Sequence, residues 1–232
     1  MKNVLVLHKA CDQLNAFFYG HSCFVESFNK TTWVAVAGCH HIPGYSGHLA
    51  FVSTNKTLQA IVKRFNSSNG NRWIGIKQVD TNQEPDGGWA FVHFDGRRWL
   101  VPDASMLPWA PTDPDNSGMS PVADEVRLNK NGLYDASGTT VLFRHLCEYE
   151  EPTRRTYKRL SYNLKGHPTT VIKEKYVNSV FECTRVCRKE LVCRSFAYHK
   201  TTGHCLAQWT DGHTPAFEPV PADGYQFYFL DY

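Results

Sequence analysis

Three parts of the chain carry residue types that could do chemistry. The first is Trp109 to Gly118, WAPTDPDNSG, where Asp113 and Asp115 flank Pro114. Proline, Asp, Asn, Ser and Gly all favour turns, so the run is neither a helix nor an interior strand. Its two carboxylates either make a solvated turn or hold a cation; Ca2+ takes about six to eight oxygen ligands and so needs several convergent carboxylates or carbonyls. The second part is a set of eight cysteines in two groups of four, Cys11, Cys23, Cys39 and Cys147, then Cys183, Cys187, Cys193 and Cys205. An even count without a catalytic or metal signature favours disulfides in an oxidising compartment. Zinc is the rival for the later four, but structural zinc prefers closely spaced cysteine pairs presented from two knuckles. The third part is Cys39-His40-His41, a thiol beside two imidazoles, which a disulfide at Cys39 explains better than a nucleophile. The eleven histidines show no His-Glu-x-x-His spacing, and there is no Gly-x-Ser-x-Gly or phosphate-cradling glycine loop. The chain therefore reads as a binding protein and not as an enzyme.

These residues sit in a chain of 232 residues, 42% hydrophobic and 20% charged, the composition of a packed globular protein. A formal charge of +3 is too small to imply nucleic acid. The one basic cluster, Arg154-Arg155 with Lys158-Arg159, lies beside Glu148, Glu150 and Glu151, which reads as a solvated mixed-charge linker. No apolar run approaches the roughly 20 residues needed for a membrane span. The opening Val4-Leu5-Val6-Leu7 is short of the roughly 7–15 apolar residues of a signal h-region. It reads as a first strand, with any leader already removed. Sequons at Asn29, Asn55 and Asn66 add to the cysteines in pointing to a secreted, extracellular glycoprotein.

The charged segment 148–159 separates the two cysteine groups, so two domains are expected, 1–150 and 151–232. In the first, Ala10 to Phe24 reads as a hairpin stapled by Cys11 and Cys23, Thr31 to Cys39 as a short helix, and Asn55 to Phe65 as a longer one. Strand-like pieces follow at Arg72–Lys77, Gly88–Phe94, Glu125–Leu128 and Thr140–Phe143. Residues 95–124 are mostly turn formers, and long irregular loops in compact domains are usually functional. In the second domain, Ser179-Val-Phe-Glu182 fits a capping box, with Ser179 accepting from the third amide and Glu182 reaching back to the cap. Strands are expected at Arg194–Tyr198, Gly203–Trp209 and Gly224–Leu230.

The order of these features in the first half resembles a long-form C-type lectin-like domain. The stapled N-terminal segment is followed by Cys39, His48-Leu-Ala-Phe-Val52, Trp73-Ile-Gly-Ile76, Trp89, Phe94-Asp-Gly96, Trp109 leading into Asp-Pro-Asp, and a closing Cys147. The second half resembles a PAN/apple domain. The fold class implied is α+β: two helices with small antiparallel sheets and a long loop region, then one helix on an antiparallel sheet, all disulfide-stabilised. The implied bridges are Cys11–Cys23, Cys39–Cys147, Cys183–Cys205 and Cys187–Cys193. A closed loop of about 100 residues is worth about 4.7 kcal/mol on the chain-entropy model.

In sugar-binding members of the lectin family a Glu-Pro-Asn or Gln-Pro-Asp triplet, a later acid and an Asn-Asp pair after a Trp hold one Ca2+, and the sugar replaces water on that ion. The resemblance carries this onto Asp113 and Asp115 at the triplet, Asp124 near the later acid, and Asp135 after Tyr134. It departs at Ala136, where the family's following Asp is missing. The family's inner disulfide is missing too, with Glu125 and the Ser137–Gly138 region standing in its place. Asp113 and Asp115 both only accept when ionised, so Asn116 is the nearby group that could donate to a sugar hydroxyl. The expected function is a secreted carbohydrate-binding lectin, Ca2+-dependent through Asp113, Asp115, Asp124 and Asp135, with Asn116 at the ligand. Its partners are glycans or glycoproteins, with the second domain adding a protein or carbohydrate contact. The rival is a structural or assembly component of an extracellular matrix, filament or coat, using both domains for protein contacts or self-association.

Overall fold

Leu7, Ala10 and Cys11 fall at helical spacing and are all buried, and Leu7–Asp12 forms a short helix, α1. The expected hairpin over Ala10–Phe24 is therefore confined to Ala16–Tyr19 (β1) and Ser22–Glu26 (β2), which pair antiparallel from Ala16 with Val25 to Tyr19 with Ser22. Gly20 turns the hairpin at a φ of 62°, which a Cβ would disfavour. Cys11 is thus a helix residue, and its bridge to Cys23 ties α1 to β2 instead of joining two hairpin arms. This computed structural model describes residues 7–12, 14, 16–20, 22–65, 70–83, 85–101, 103–116, 123–150, 157–190, 192–209 and 219–230. The Val4–Val6 part of the expected first strand and the Asn66 sequon lie outside the described residues, while Leu7 is helical.

The helix expected over Thr31–Cys39 is reduced to one 3-10 turn, Trp33–Ala35. The backbone there is drawn into distant partners: Thr31 bridges Phe143, and the Trp33 indole N–H donates to the Ile74 carbonyl at 2.9 Å. After Gly47–Leu49 (β3), the helix α2 spans Asn55–Phe65, as its periodicity predicts, and buries Leu58, Ile61 and Phe65. Thr54 caps it, its hydroxyl accepting from the Thr57 amide at 3.1 Å.

Arg72–Gln78 (β4), Trp89–Val92 (β5), Arg98–Leu100 (β6), Glu125–Asn129 (β7), Gly132–Ala136 (β8) and Arg144–Glu150 (β9) complete the strands of the first unit, Met1–Glu151. The path through the sheet runs β1-β2-β9-β4-β5-β6, with β3 on β9 and the β7–β8 hairpin on β4. The strand expected at Thr140–Phe143 is a turn ending in the single bridge at Phe143, and regular pairing begins at Arg144. Gly75 shows why the Trp-Ile-Gly-Ile segment needs its glycine: a Cβ there would stand 2.7 Å from the Leu49 carbonyl oxygen and from the Phe51 ring. Trp73, Trp89, Phe51 and Phe91 fill the core around this strand.

The expected linker at 148–159 is overturned at both ends. Glu148 and Glu150 belong to β9 and are buried, paired with Phe24 and Ser22 of β2. Tyr157–Arg159 begin a nine-residue strand, Tyr157–Lys165 (β10). Charge alone misleads here, because β9 is covered on both faces: Leu146 to Glu150 are all buried, acids and apolar residues alike.

The second unit, Pro152–Tyr232, adds Val171–Tyr176 (β11), the helix α3 at Val180–Lys189, Ser195–His199 (β12), His204–Gln208 (β13) and Val220–Leu230 (β14). Its sheet has the order β10-β14-β12-β13-β11. Ser179 accepts from the Glu182 amide at 3.2 Å, while the Glu182 carboxylate takes the Asn178 amide at 2.8 Å, one residue before the cap. Cys183 and Cys187, one turn apart on α3, bridge to Cys205 and Cys193. Phe196 stacks on Tyr228 at 4.7 Å beneath them. The remaining bridge, Cys39–Cys147, spans 108 residues of the first unit.

Candidate functional site

The acidic loop is anchored before it reaches its carboxylates. Trp109 packs edge-on against Trp89 at 5.0 Å, and its indole N–H donates to the Ala104 carbonyl at 2.7 Å. Trp109 also bridges Leu133 of β8, and the Ala110 amide donates to the Leu133 carbonyl at 2.9 Å. The indole is thus an anchor between the loop and the β7–β8 hairpin. The Asp113 amide then donates to the Ala110 carbonyl, and the Asp113–Pro114 peptide bond is cis.

Asp113, Asp115 and Asp135 come together: one carboxylate oxygen from each lies within 4.8 Å of the other two. Asp115 is exposed, Asp113 half-buried and Asp135 buried, so the set runs from solvent to the end of β8. Burial pushes the Asp113 carboxyl up to about 6, helped by its hydrogen bond with Asp135 and by the nearby charges of Asp135 and Asp115. Three carboxylates in this arrangement repel one another, and either a proton or a metal cation relieves the repulsion. The donor set is oxygen only, which suits Ca2+.

Asn116 is expected at the ligand, and its backbone amide and side-chain oxygen also tie the loop together. Its backbone, at a φ of 53°, aims its amide at Asp135 Oδ2 at 2.7 Å, and its side-chain oxygen accepts from the Ala123 amide at 3.2 Å. It is a brace between the two sides of the loop. Asp124 is not one of the three converging acids; it stands just before β7, and its carbonyl accepts from the Gln78 amide at 2.6 Å. Ala136, where a further acid is missing, is buried opposite Glu125.

Glu125 was legible only as the place of an absent cysteine, yet it links the same two segments with polar bonds. Its buried carboxylate accepts from the Gly138 amide at 2.8 Å and pairs with Lys77 Nζ at 2.7 Å. A Cβ at Gly138 would stand 2.5 Å from that carboxylate, so the contact depends on glycine. The signal in the sequence was an acid and a glycine at positions that a disulfide would otherwise occupy. Of the sequons, Asn29 and Asn55 are exposed.

No curated protein sequence matches the chain. Among solved structures, the human scavenger receptor C-type lectin carbohydrate-recognition domain is similar at 20% identity, over 59% of this chain and 97% of that one, with a TM-score of 0.45. Human lithostathine is similar at 19% identity, over 59% and 89% of the two chains, with a TM-score of 0.42. For the C-type lectin CEL-I from Cucumaria echinata the values are 18%, 58%, 94% and 0.43. The family model of the PAN domain matches residues 155–229, nearly the whole second unit, and the second unit is thus similar to a PAN domain.

Proposed function

We propose that the protein is an extracellular glycan-recognition protein whose acidic loop holds one Ca2+ through Asp113, Asp115 and Asp135. The observation that supports this reading is the convergence of those three carboxylates within 4.8 Å at the solvent-facing end of a braced loop. Bound there, Ca2+ supplies coordination positions that neighbouring sugar hydroxyls can take in place of water. Asp135 contributes the buried end of the set and is itself held by the Asn116 amide. Asp115 contributes the exposed end, where a ligand from solution would meet it. Because all three acids only accept when ionised, recognition rests on the cation more than on two-way bonding to the sugar. The PAN domain adds a second contact with protein or carbohydrate, and the exposed Asn29 and Asn55 are glycan attachment points of a secreted chain.

The test is binding of the full chain to a glycan array and to sugar resins, with Ca2+ and with chelator. Chelator-sensitive binding that Asp113→Asn with Asp115→Asn abolishes is expected. Absence of sugar binding together with concentration-dependent self-association would overturn the reading in favour of an assembly component.

A further inference from the structure

A second group of metal-ligating side chains lies in the sheet of the first unit. Along β9, Glu148 and Glu150 leave the strand on one face and Cys147 and Tyr149 on the other. Strand pairing places His48 of β3 directly opposite Glu148, and Ser22 of β2 directly opposite Glu150. One imidazole and two carboxylates therefore meet, each offering a ligand atom within 4.8 Å of the other two. His48 and Glu148 are each 1% exposed, and Glu150 is 6% exposed.

Two carboxylates and an imidazole converging in a buried place present a cation with three ligand atoms, and the cation's attraction to both carboxylates offsets their mutual repulsion. The groups around the cluster already orient it. His48 Nδ1 lies 2.8 Å from the Leu49 carbonyl oxygen; a carbonyl can only accept, so Nδ1 carries the hydrogen and the lone pair of the neutral ring is on Nε2. Phe51 stacks on the imidazole at 4.2 Å and fixes its plane. Glu148 accepts from the Ser22 hydroxyl at 2.7 Å and from the Phe51 amide at 3.0 Å, which sets the plane of its carboxylate. A ring N–H given to a backbone carbonyl, and a carboxylate held by outer donors, are the arrangements that position metal ligands.

We propose that His48, Glu148 and Glu150 form a buried site for a first-row divalent cation, with zinc as its best occupant. One imidazole and two carboxylates are a zinc-type donor set, whereas Ca2+ and Mg2+ take oxygen ligands. The bound ion is attracted to both carboxylates and joins β3 to β9 on the face opposite Cys147. The site shares no residue with the acidic loop and does not depend on sugar binding.

The test uses the full chain, stripped with chelator and titrated with zinc chloride in calcium-free buffer, by calorimetry and by competition with a chromophoric chelator. One zinc per chain is expected, together with a rise in melting temperature. His48→Gln and Glu150→Gln should each weaken binding by about tenfold or more. Asp113→Asn with Asp115→Asn should leave it in place, which separates this site from the loop. Zinc-edge X-ray absorption on the wild type should show one imidazole among oxygen ligands and no sulfur, and this readout stands even if the variants fail to fold. A chain that takes up no zinc overturns the proposal. So does zinc retained within about twofold by both His48→Gln and Glu150→Gln, since ligand loss costs more than that, and so does a spectrum with several imidazoles.

Discussion

The two carboxylate clusters of the first unit solve one electrostatic problem in opposite surroundings. Asp113, Asp115 and Asp135 are gathered by a turn-rich loop that reaches from solvent to a strand end. His48, Glu148 and Glu150 are gathered by strand register and sealed from solvent. At the loop, burial first, and then the hydrogen bond with Asp135 and the nearby charges of Asp135 and Asp115, push the Asp113 carboxyl up to about 6. Inside the sheet, the charges must be met by fixed donors and a counter-charge, because water is not there to screen them. The difference separates two uses of acids: an exposed set can exchange a ligand, while a buried set holds strands together.

That contrast breaks first at Glu148. Replacing it with Ala leaves the Ser22 hydroxyl and the Phe51 amide without their acceptor inside the sheet, and urea unfolding should show a loss of about 3 kcal/mol. Next is the calcium response of the loop. At about one hundredfold excess over Kd, Ca2+ should stabilise the wild type by about 2.7 kcal/mol and leave Asp113→Asn with Asp115→Asn unmoved in a thermal melt. Glu125→Ala comes third. It strands the Gly138 amide and the Lys77 ammonium, for a loss of about 1–2 kcal/mol, and Ca2+ affinity should fall with it as the loop loosens. Asp115→Asn without calcium should change stability by no more than about 0.5 kcal/mol, because the side chain is exposed.

The last test is the pH response of the calcium-free loop. Asp113 titrates near 3.8 when unfolded and at about 6 when folded, so the folded chain binds more proton between those values. Its contribution to stability is full below about 4 and is lost as pH rises through about 6. Carbon-detected NMR of the Asp113 carboxyl should follow this step, and Asp113→Asn should remove it from the stability profile. Ca2+ competes with the same proton, so its own stabilisation should weaken as pH falls below about 6, the opposite slope.

Much of the site loop was legible. Asp113-Pro-Asp115 marked an acidic turn, and Asp135 could be brought to it only through resemblance, since nineteen residues intervene without periodic signal. Asp124 is not one of the three converging acids, and nearness in sequence to β7 could not tell that. Asn116 could be read as a side-chain donor, but not as the backbone brace that holds Asp135. In the fold, α2 and α3 could be read from helical spacing and caps, which are local. The short strands β3, β6 and β8 could not, because three to five residues carry too little alternation to stand out.

By itself, then, the sequence determined what depends on neighbours along the chain: the two longer helices, the turn at the acidic loop, and a cysteine content that needs oxidising conditions. Only the tertiary structure decided that Cys11 sits on a helix, that Thr31 pairs with Phe143 instead of starting one, and that Glu148 and Glu150 face inward. The physical reason lies in strand geometry. Alternation separates two faces but does not say which is covered, and for β9 both are, Glu148 and Glu150 on one and Cys147 and Tyr149 on the other, in a strand held between β2 and β3 from far earlier in the chain.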